Sequence, residues 1–536
     1  MPVIDTVSYY SGQVTDDLID LLAADLAHAE YSSAAIVALL GEPADRARQA
    51  GTVLPAQRVL RRQQASPLAT LIRLFLLGER VSATRIDEAL PSLGSAGLVA
   101  LELASFEDAA TAGGELQAIK SLNAVTVSDP LDEHSEAGAG HGDRDWWIVS
   151  DLDDHLRGGP ASADHVMGVG GATRSLIAQL PPTSVHGAAL DLGTGCGIVA
   201  LHLALRGTQV VATDISERAL SLGRLNARLN GLADRIEFRT GSLFEPVSGE
   251  EFALIASNPP FVITPRVTGE PVYEYRDGGR AGDDLAADVV REGARHLAHE
   301  GVLLCLANWE SPWGQNGLER VRGWIAEAQR PGLAAWVIER DRLDPIGYAQ
   351  MWARDGGERP GSAGFDRKLA AWLDDFEARR VVSIGLGSIR IARTPSSAPA
   401  PLVHLEQAAG AIAAEQTGRA FAAAFAAGVS AARMSDSEIL DATWVRNSEV
   451  VEHREHQPGV EAPNAIWLTI ERPIARRVAA DPLLAAALGA CDGELTLVQI
   501  ADALATLLEV DEDASRQALI ASVRELAWLG MVAAQG

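Results

Sequence analysis

Leu190-Asp191-Leu192-Gly193-Thr194-Gly195-Cys196-Gly197 reads as a short buried strand running into a glycine-rich turn. Without Cβ atoms, the glycines at 193, 195 and 197 let the backbone bend sharply after the strand and come close to a ligand. Residues 198–206 continue as an apolar helix whose first N–H groups face the same crevice. A second apolar run, Val210-Val211-Ala212-Thr213, ends in Asp214. A carboxylate there suits two ribose hydroxyls, which donate in parallel. The pattern predicts a strand–turn–helix–strand unit that cradles a nucleotide-like cofactor.

Further along the chain, Asn258-Pro259-Pro260-Phe261 follows directly on the apolar run 252–256. In an amide or a nucleobase amine the nitrogen lone pair is delocalised, which makes it a poor nucleophile. A site that accepts hydrogen bonds from both of its protons favours an sp3-like nitrogen with an aimed lone pair. Asn258 offers a side-chain carbonyl and Pro259 a backbone carbonyl. Prolines 259 and 260 carry no N–H, and their fixed φ holds that carbonyl in place. Phe261 supplies a flat face for a base or an amide plane. Read alone, a diproline also serves simply to end a strand.

Together the two stretches resemble the class I S-adenosylmethionine (SAM) dependent methyltransferases, in the HemK/PrmC-like and small-domain branch that methylates planar nitrogen. The competing dinucleotide fingerprint wants its third glycine three positions after the second; here Ile198 stands there, and the third glycine comes earlier, at Gly197. The resemblance covers residues 160–310. It implies an α/β fold with a seven-stranded, Rossmann-like sheet whose seventh strand is antiparallel. Candidate strands are 188–192, 209–213, 236–240, 252–257, 302–307, 334–339 and 381–394. The implied cofactor contacts are Asp191, Gly193, Thr194, Gly195, Gly197, Asp214, Ile215 and Asn258. Ser242 and Leu243 end the third strand, where the family usually places an Asp against the adenine amino group. Thr173, in the glycine-rich segment 165–173, is expected either to bond the methionine carboxylate or to cap a helix. Asn258, Pro259 and Phe261 carry the chemistry; Pro260, Phe261, Tyr275 and Arg276 contact the acceptor. In so mixed a run, the arginines of 273–285 are otherwise expected to pair with neighbouring acids. No metal and no strong general base are required.

At 536 residues the chain exceeds one core, and three parts are expected. Residues 1–150 read as mainly helical with a winged-helix-like unit, 151–395 as the methyltransferase domain, and 396–536 as an α+β domain with a winged-helix-like end. The segment 129–145 reads as a polar linker. The N-terminus shows no signal-peptide pattern and no apolar run reaches membrane-spanning length, so a cytoplasmic protein is expected. Cys196, Cys305 and Cys491 form no CxxC, which fits a reducing compartment.

Net charge is −27, so any nucleic-acid contact needs a local basic patch. Arg46, Arg48, Arg58, Arg61, Arg62 and Arg73 are the best candidate, with a solvated helical face as the plainer alternative. Trp309, after the fifth strand, stands where strand ends line a crevice. These features predict methyl transfer to a planar NH2 of a macromolecule, RNA, DNA or protein. The arginines and the terminal modules favour nucleic acid and the acidity favours protein; the reading leans slightly to a nucleobase amine in RNA or DNA, with a protein glutamine amide as the alternative. A small-molecule acceptor and a non-catalytic winged-helix scaffold are the remaining alternatives.

Overall fold

The computed structural model describes residues 6–106, 114–128, 143–157, 161–182, 186–266, 276, 278–412 and 417–535. Its centre is an eight-stranded sheet: β1 (Ala189–Leu192), β2 (Val210–Asp214), β3 (Ile236–Thr240), β4 (Phe252–Ser257), β5 (Leu297–Pro312), β6 (Leu333–Leu343), β7 (Val381–Arg393) and β8 (Leu402–Gln407). The spatial order is β8-β6-β7-β5-β4-β1-β2-β3. All pairings are parallel except those of β7, which runs antiparallel to both β5 and β6. All seven expected strands are present. The eighth, Leu402–Gln407, extends the sheet beyond position 395, into a stretch assigned by sequence to the C-terminal part.

The central strands are buried on both faces, as a parallel sheet covered by helices requires. Alternate residues serve different cores. Ala189, Leu254, Ala256, Leu304 and Leu306 pack with helices α2 (Ile198–Leu205) and α3 (Glu217–Leu229). Leu190, Leu192, Ile255, Leu303 and Cys305 pack with α4 (Asp284–Arg295) and α5 (Gly317–Glu327). Ahead of the sheet lies α1 (Gly171–Ala178). Between β6 and β7 the chain inserts two helices, α6 (Pro345–Asp355) and α7 (Ala363–Ala378), begun by side-chain caps from Asp344 and Ser362.

The N-terminal part is helical, from Thr6–His28 to Gly94–Ala100, with a three-stranded antiparallel sheet of Val81–Ser82, Glu115–Ala118 and Ala104–Phe106. It does not form a core of its own. Its buried residues are continuous with the first sheet face, through a ribbon of Lys120–Ser128 and Asp143–Asp151. The buried Asn226 on α3 grips that ribbon: its Oδ1 accepts from Val149 N (2.8 Å) and its Nδ2 donates to Val149 O (2.9 Å) and Cys196 O (2.8 Å). The C-terminal part sets helices Pro482–Ala490, Leu497–Leu508 and Glu512–Trp528 beside two small antiparallel sheets.

Candidate active site

The register of the sheet brings the two sequence stretches together. Leu192 on β1 pairs with Ser257 on β4, so Gly193 and Asn258 leave neighbouring parallel strands side by side, roughly 5 Å apart. Ser257 Oγ donates to the Leu192 carbonyl (2.8 Å) and ties the two strand ends. Both corners open at the carboxyl edge of the sheet, where ligands bind in open α/β folds.

The glycine turn is stapled to the end of β2. Gly193 N and Thr194 N both donate to Thr213 O at 2.9 Å. Gly195 N donates to Asp214 Oδ2 and Ser216 N to Asp214 Oδ1, each at 2.9 Å. Gly193 and Gly195 have positive φ (74° and 55°), and a Cβ on either would point into open space. Gly197 (φ 86°) has a different reason: its Cβ would lie 3.0 Å from Gly223 Cα on α3. The first two leave room for a ligand and the third lets a helix close in.

Asp191 faces the protein. It is 1% exposed, and its Oδ2 accepts from Thr194 Oγ1 (2.5 Å) and Ala200 N (2.9 Å), fixing the turn to the start of α2. Burial pushes its pKa up to about 7, against the pull of those two bonds. Asp191 therefore shapes the glycine turn from within. Asp214 is raised in the same direction, first by burial, with its backbone N–H partners opposing. Each of its oxygens keeps acceptor capacity for ribose hydroxyls. Ile215 beside it is 60% exposed, an apolar face suited to a base. Ser242 and Leu243 follow β3 half-buried, in a turn closed by Glu245 N to Ser242 O (3.1 Å) and linked to β2 through Gly241 N to Asp214 O (3.0 Å).

At the acceptor corner, Asn258 Nδ2 donates to Thr173 Oγ1 at 3.0 Å. That bond sets the amide's orientation and leaves Asn258 Oδ1 buried with no partner among the described residues. The Pro259 carbonyl likewise accepts no hydrogen bond among the described residues. A buried acceptor without a donor carries a cost, and these two acceptors stand at the strand end where an NH2 group is expected. Thr173 lies within α1 and makes no cap, which overturns the capping alternative; it orients Asn258. Pro259 is buried, and Pro260 and Phe261 are half-buried, with Phe261 packed against the larger core.

Other expectations change. Arg276 is 8% exposed, donates from Nη2 to the Trp352 carbonyl and lies over the Trp352 ring at 5.3 Å, so its guanidinium is engaged by α6 rather than offered to an acceptor; Glu274 and Asp277 lie outside the described residues. Tyr275 lies outside the described residues. Trp309 is fully buried between strands and donates to Glu339 Oε2 (3.0 Å), so it cannot stack on a ligand. Of the arginine stretch, Arg46, Arg48 and Arg73 pair with Glu42, Asp45 and Glu79, whereas Arg58, Arg61 and Arg62 are exposed and have no ion-pair partner among the described residues.

Two contributors carried no local signal. Asp151 accepts from Val166 N (2.8 Å), Lys120 (2.8 Å) and Arg218 (2.6 Å), anchoring the segment before α1. Burial opposes its charge, but these bonds outweigh that and hold its pKa at about 2. The second is the α6–α7 insertion, which packs Tyr348 and Trp372 against Ile263.

Residues 166–330 match the family model described as methyltransferase small domain, and residues 28–113 match a domain of unknown function (DUF7059). A release factor glutamine methyltransferase of Deinococcus radiodurans is 40% identical over 152 residues, covering 27% of this chain and 53% of that protein. A ribosomal protein uL3 glutamine methyltransferase of Bradyrhizobium diazoefficiens is 34% identical over 151 residues, 26% of this chain and 46% of that protein. The chain thus spans about half the length of these curated relatives. Among solved structures, a methyltransferase from Pyrococcus furiosus is 15% identical, covering 39% of this chain and 76% of its own, with a TM-score of 0.23. No helix among the described residues is long and apolar enough to cross a membrane.

Proposed function

We propose that this chain is a SAM-dependent N-methyltransferase acting on a planar NH2, and that its acceptor is the side-chain amide of a protein glutamine. The observation that carries the reading is Asn258 Oδ1: buried, without a partner among the described residues, oriented by Thr173, and beside the glycine turn. It accepts one N–H of the acceptor and the Pro259 carbonyl accepts the other, which aims the nitrogen lone pair. Bound SAM supplies a methyl group already activated on a sulfonium. Gly193 and Gly195 would leave room for the cofactor, Asp214 would take its ribose hydroxyls and Ile215 would offer an apolar face to its base. Phe261 shields one side of the amide plane from water. Positioning is then the main task of the protein, and one acceptor proton leaves to solvent.

The similarity to release factor and ribosomal protein uL3 glutamine methyltransferases favours an amide over a nucleobase. So does the charge of −27, which repels polyanions and attracts basic proteins. The helix Gly94–Ala100 of the N-terminal unit carries no basic residue to read a groove. One observation favours the nucleobase reading: Arg58, Arg61 and Arg62 stand exposed without partners among the described residues.

The test is incubation of the full-length protein with tritiated SAM and a bacterial lysate. The proposal expects protease to solubilise the label, nuclease to leave it, and acid hydrolysis of the labelled protein to release volatile methylamine. Asn258→Ala is expected to slow transfer on the order of a hundredfold, as loss of one preorganised polar group does. Label solubilised by nuclease would transfer the assignment to a nucleobase amine.

A further inference from the structure

The chain leaving the acceptor corner is held at consecutive residues by groups outside the glycine turn. Val262 N donates to the Arg276 carbonyl at 2.9 Å. Ile263 N donates to Tyr348 Oη on α6 at 2.9 Å, and the Ile263 carbonyl accepts from Trp372 Nε1 on α7 at 2.8 Å. Tyr348 Oη also accepts from Asn308 Nδ2 on β5 (2.8 Å), so the tyrosine is fixed to the sheet. Both helices lie beyond the residues that match the methyltransferase family, which end at 330.

Arg276 joins the insertion to this corner. Its guanidinium bonds the Trp352 carbonyl near the end of α6, and a Cβ at Gly356 would lie 2.9 Å from its Nη1. On the other side, the Gly278 backbone lies against the diproline: a Cβ there would come within 3.1 Å of Pro260 Cγ and 2.7 Å of Leu285 Cδ1. Gly278 has φ 55°, so both space and conformation require glycine.

We propose that Arg276 is a positioning residue. It clamps the end of α6 to the loop that packs on Pro260, so the two-helix insertion fixes the direction of Asn258 Oδ1 and the Pro259 carbonyl. The link to acceptor turnover rests on the function proposed above; the clamp itself is a statement about the backbone. It assigns Arg276 an effect on the acceptor and none on the cofactor.

Hydrogen exchange by mass spectrometry on the full-length protein tests it, with Arg276→Ala and Tyr348→Phe as variants, the second keeping the ring and removing the hydroxyl. Exchange of the Phe261 to Thr264 amides is expected to quicken about tenfold in both, with residues 190–200 unchanged. Calorimetry with SAM should give affinity within about twofold of wild type, and protein labelling should slow about tenfold. Unchanged exchange at 261–264 overturns the clamp, and so does a matching loss of protection at 190–200 together with SAM affinity. If exchange quickens while even the wild type labels no protein, the clamp stands and the glutamine reading fails.

Discussion

Asp191 is a residue whose pattern marks it as a cofactor contact and whose surroundings make it a brace. Its carboxyl titrates at about 7 in the folded chain, because burial outweighs the Thr194 and Ala200 bonds, against 3.8 when exposed. The stability it contributes is complete below about pH 4 and is lost as pH rises toward 7, since the unfolded chain ionises first. Asp191→Asn should remove up to about 4 kcal/mol of that pH dependence. Denaturant midpoints measured at about pH 5 and about pH 7.5 check this; parallel profiles for the variant and wild type would contradict it. The glycines beside it should separate into two kinds. Gly195→Ala strains a positive φ by about 1 kcal/mol and projects a methyl into open space. It is expected to stay folded and lose at least about tenfold in SAM affinity, since one obstructing methyl group displaces favourable contact. Gly197→Ala meets the Gly223 backbone at 3.0 Å and is expected to cost a further 1–3 kcal/mol or so of stability. Equal stabilities for the two would refute the distinction.

Elements differ in how plainly local sequence announces them. Most of the seven expected strands are short, largely apolar runs, and five of them are closed by Gly, Asp or Asn (Gly193, Asp214, Gly241, Asn258 and Asn308), so local pattern is enough to find them. Leu402–Gln407 alternates apolar residues with His404 and Glu406, follows a Pro/Ser stretch, and earns its place only by lying along β6 from Ala334 to Glu339. The glycine turn and the diproline were legible because each is a local backbone device. Tyr348, Trp372 and Arg276 were not, because their roles come from partners 76 to 109 positions away in sequence. Helix α3 shows the same long reach. Asn226, fully buried, satisfies Val149 at both backbone groups and the Cys196 carbonyl inside the glycine turn. Asn226→Ala leaves three buried backbone groups unpaired, at roughly 1–3 kcal/mol each. A loss of about 3 kcal/mol or more in chemical denaturation is expected, with weaker SAM binding in calorimetry because the turn loses a tether. Unaltered SAM affinity would mean that Thr213 and Asp214 hold the turn without help from α3.

At the scale of the whole molecule, the family match at 166–330 invites treating the centre as a free-standing unit, and the packing argues against it. On one face, the core of α2 and α3 runs without a break into the N-terminal helices, through Tyr31, Leu122 and Trp146. At the far edge, Ala334, Trp336 and Ile338 of β6 are covered by Phe421, Phe425 and Trp528 from the C-terminal part, and β8 closes the strand that β6 would otherwise leave unpaired. A fragment of residues 160–395 keeps the glycine turn, the diproline and the insertion. It also bares a large aromatic on an unprotected strand edge, a template for association. Each deeply buried apolar side chain so uncovered forfeits about 1.5–3 kcal/mol, and a domain has only about 5–15 kcal/mol in reserve. The fragment is therefore expected to aggregate, while the full chain elutes as a discrete species that binds SAM. Size-exclusion chromatography with calorimetry on both decides it. A monodisperse fragment with full-length affinity would make the flanking parts accessories to the acceptor alone, whereas aggregation makes them part of the fold that holds the cofactor.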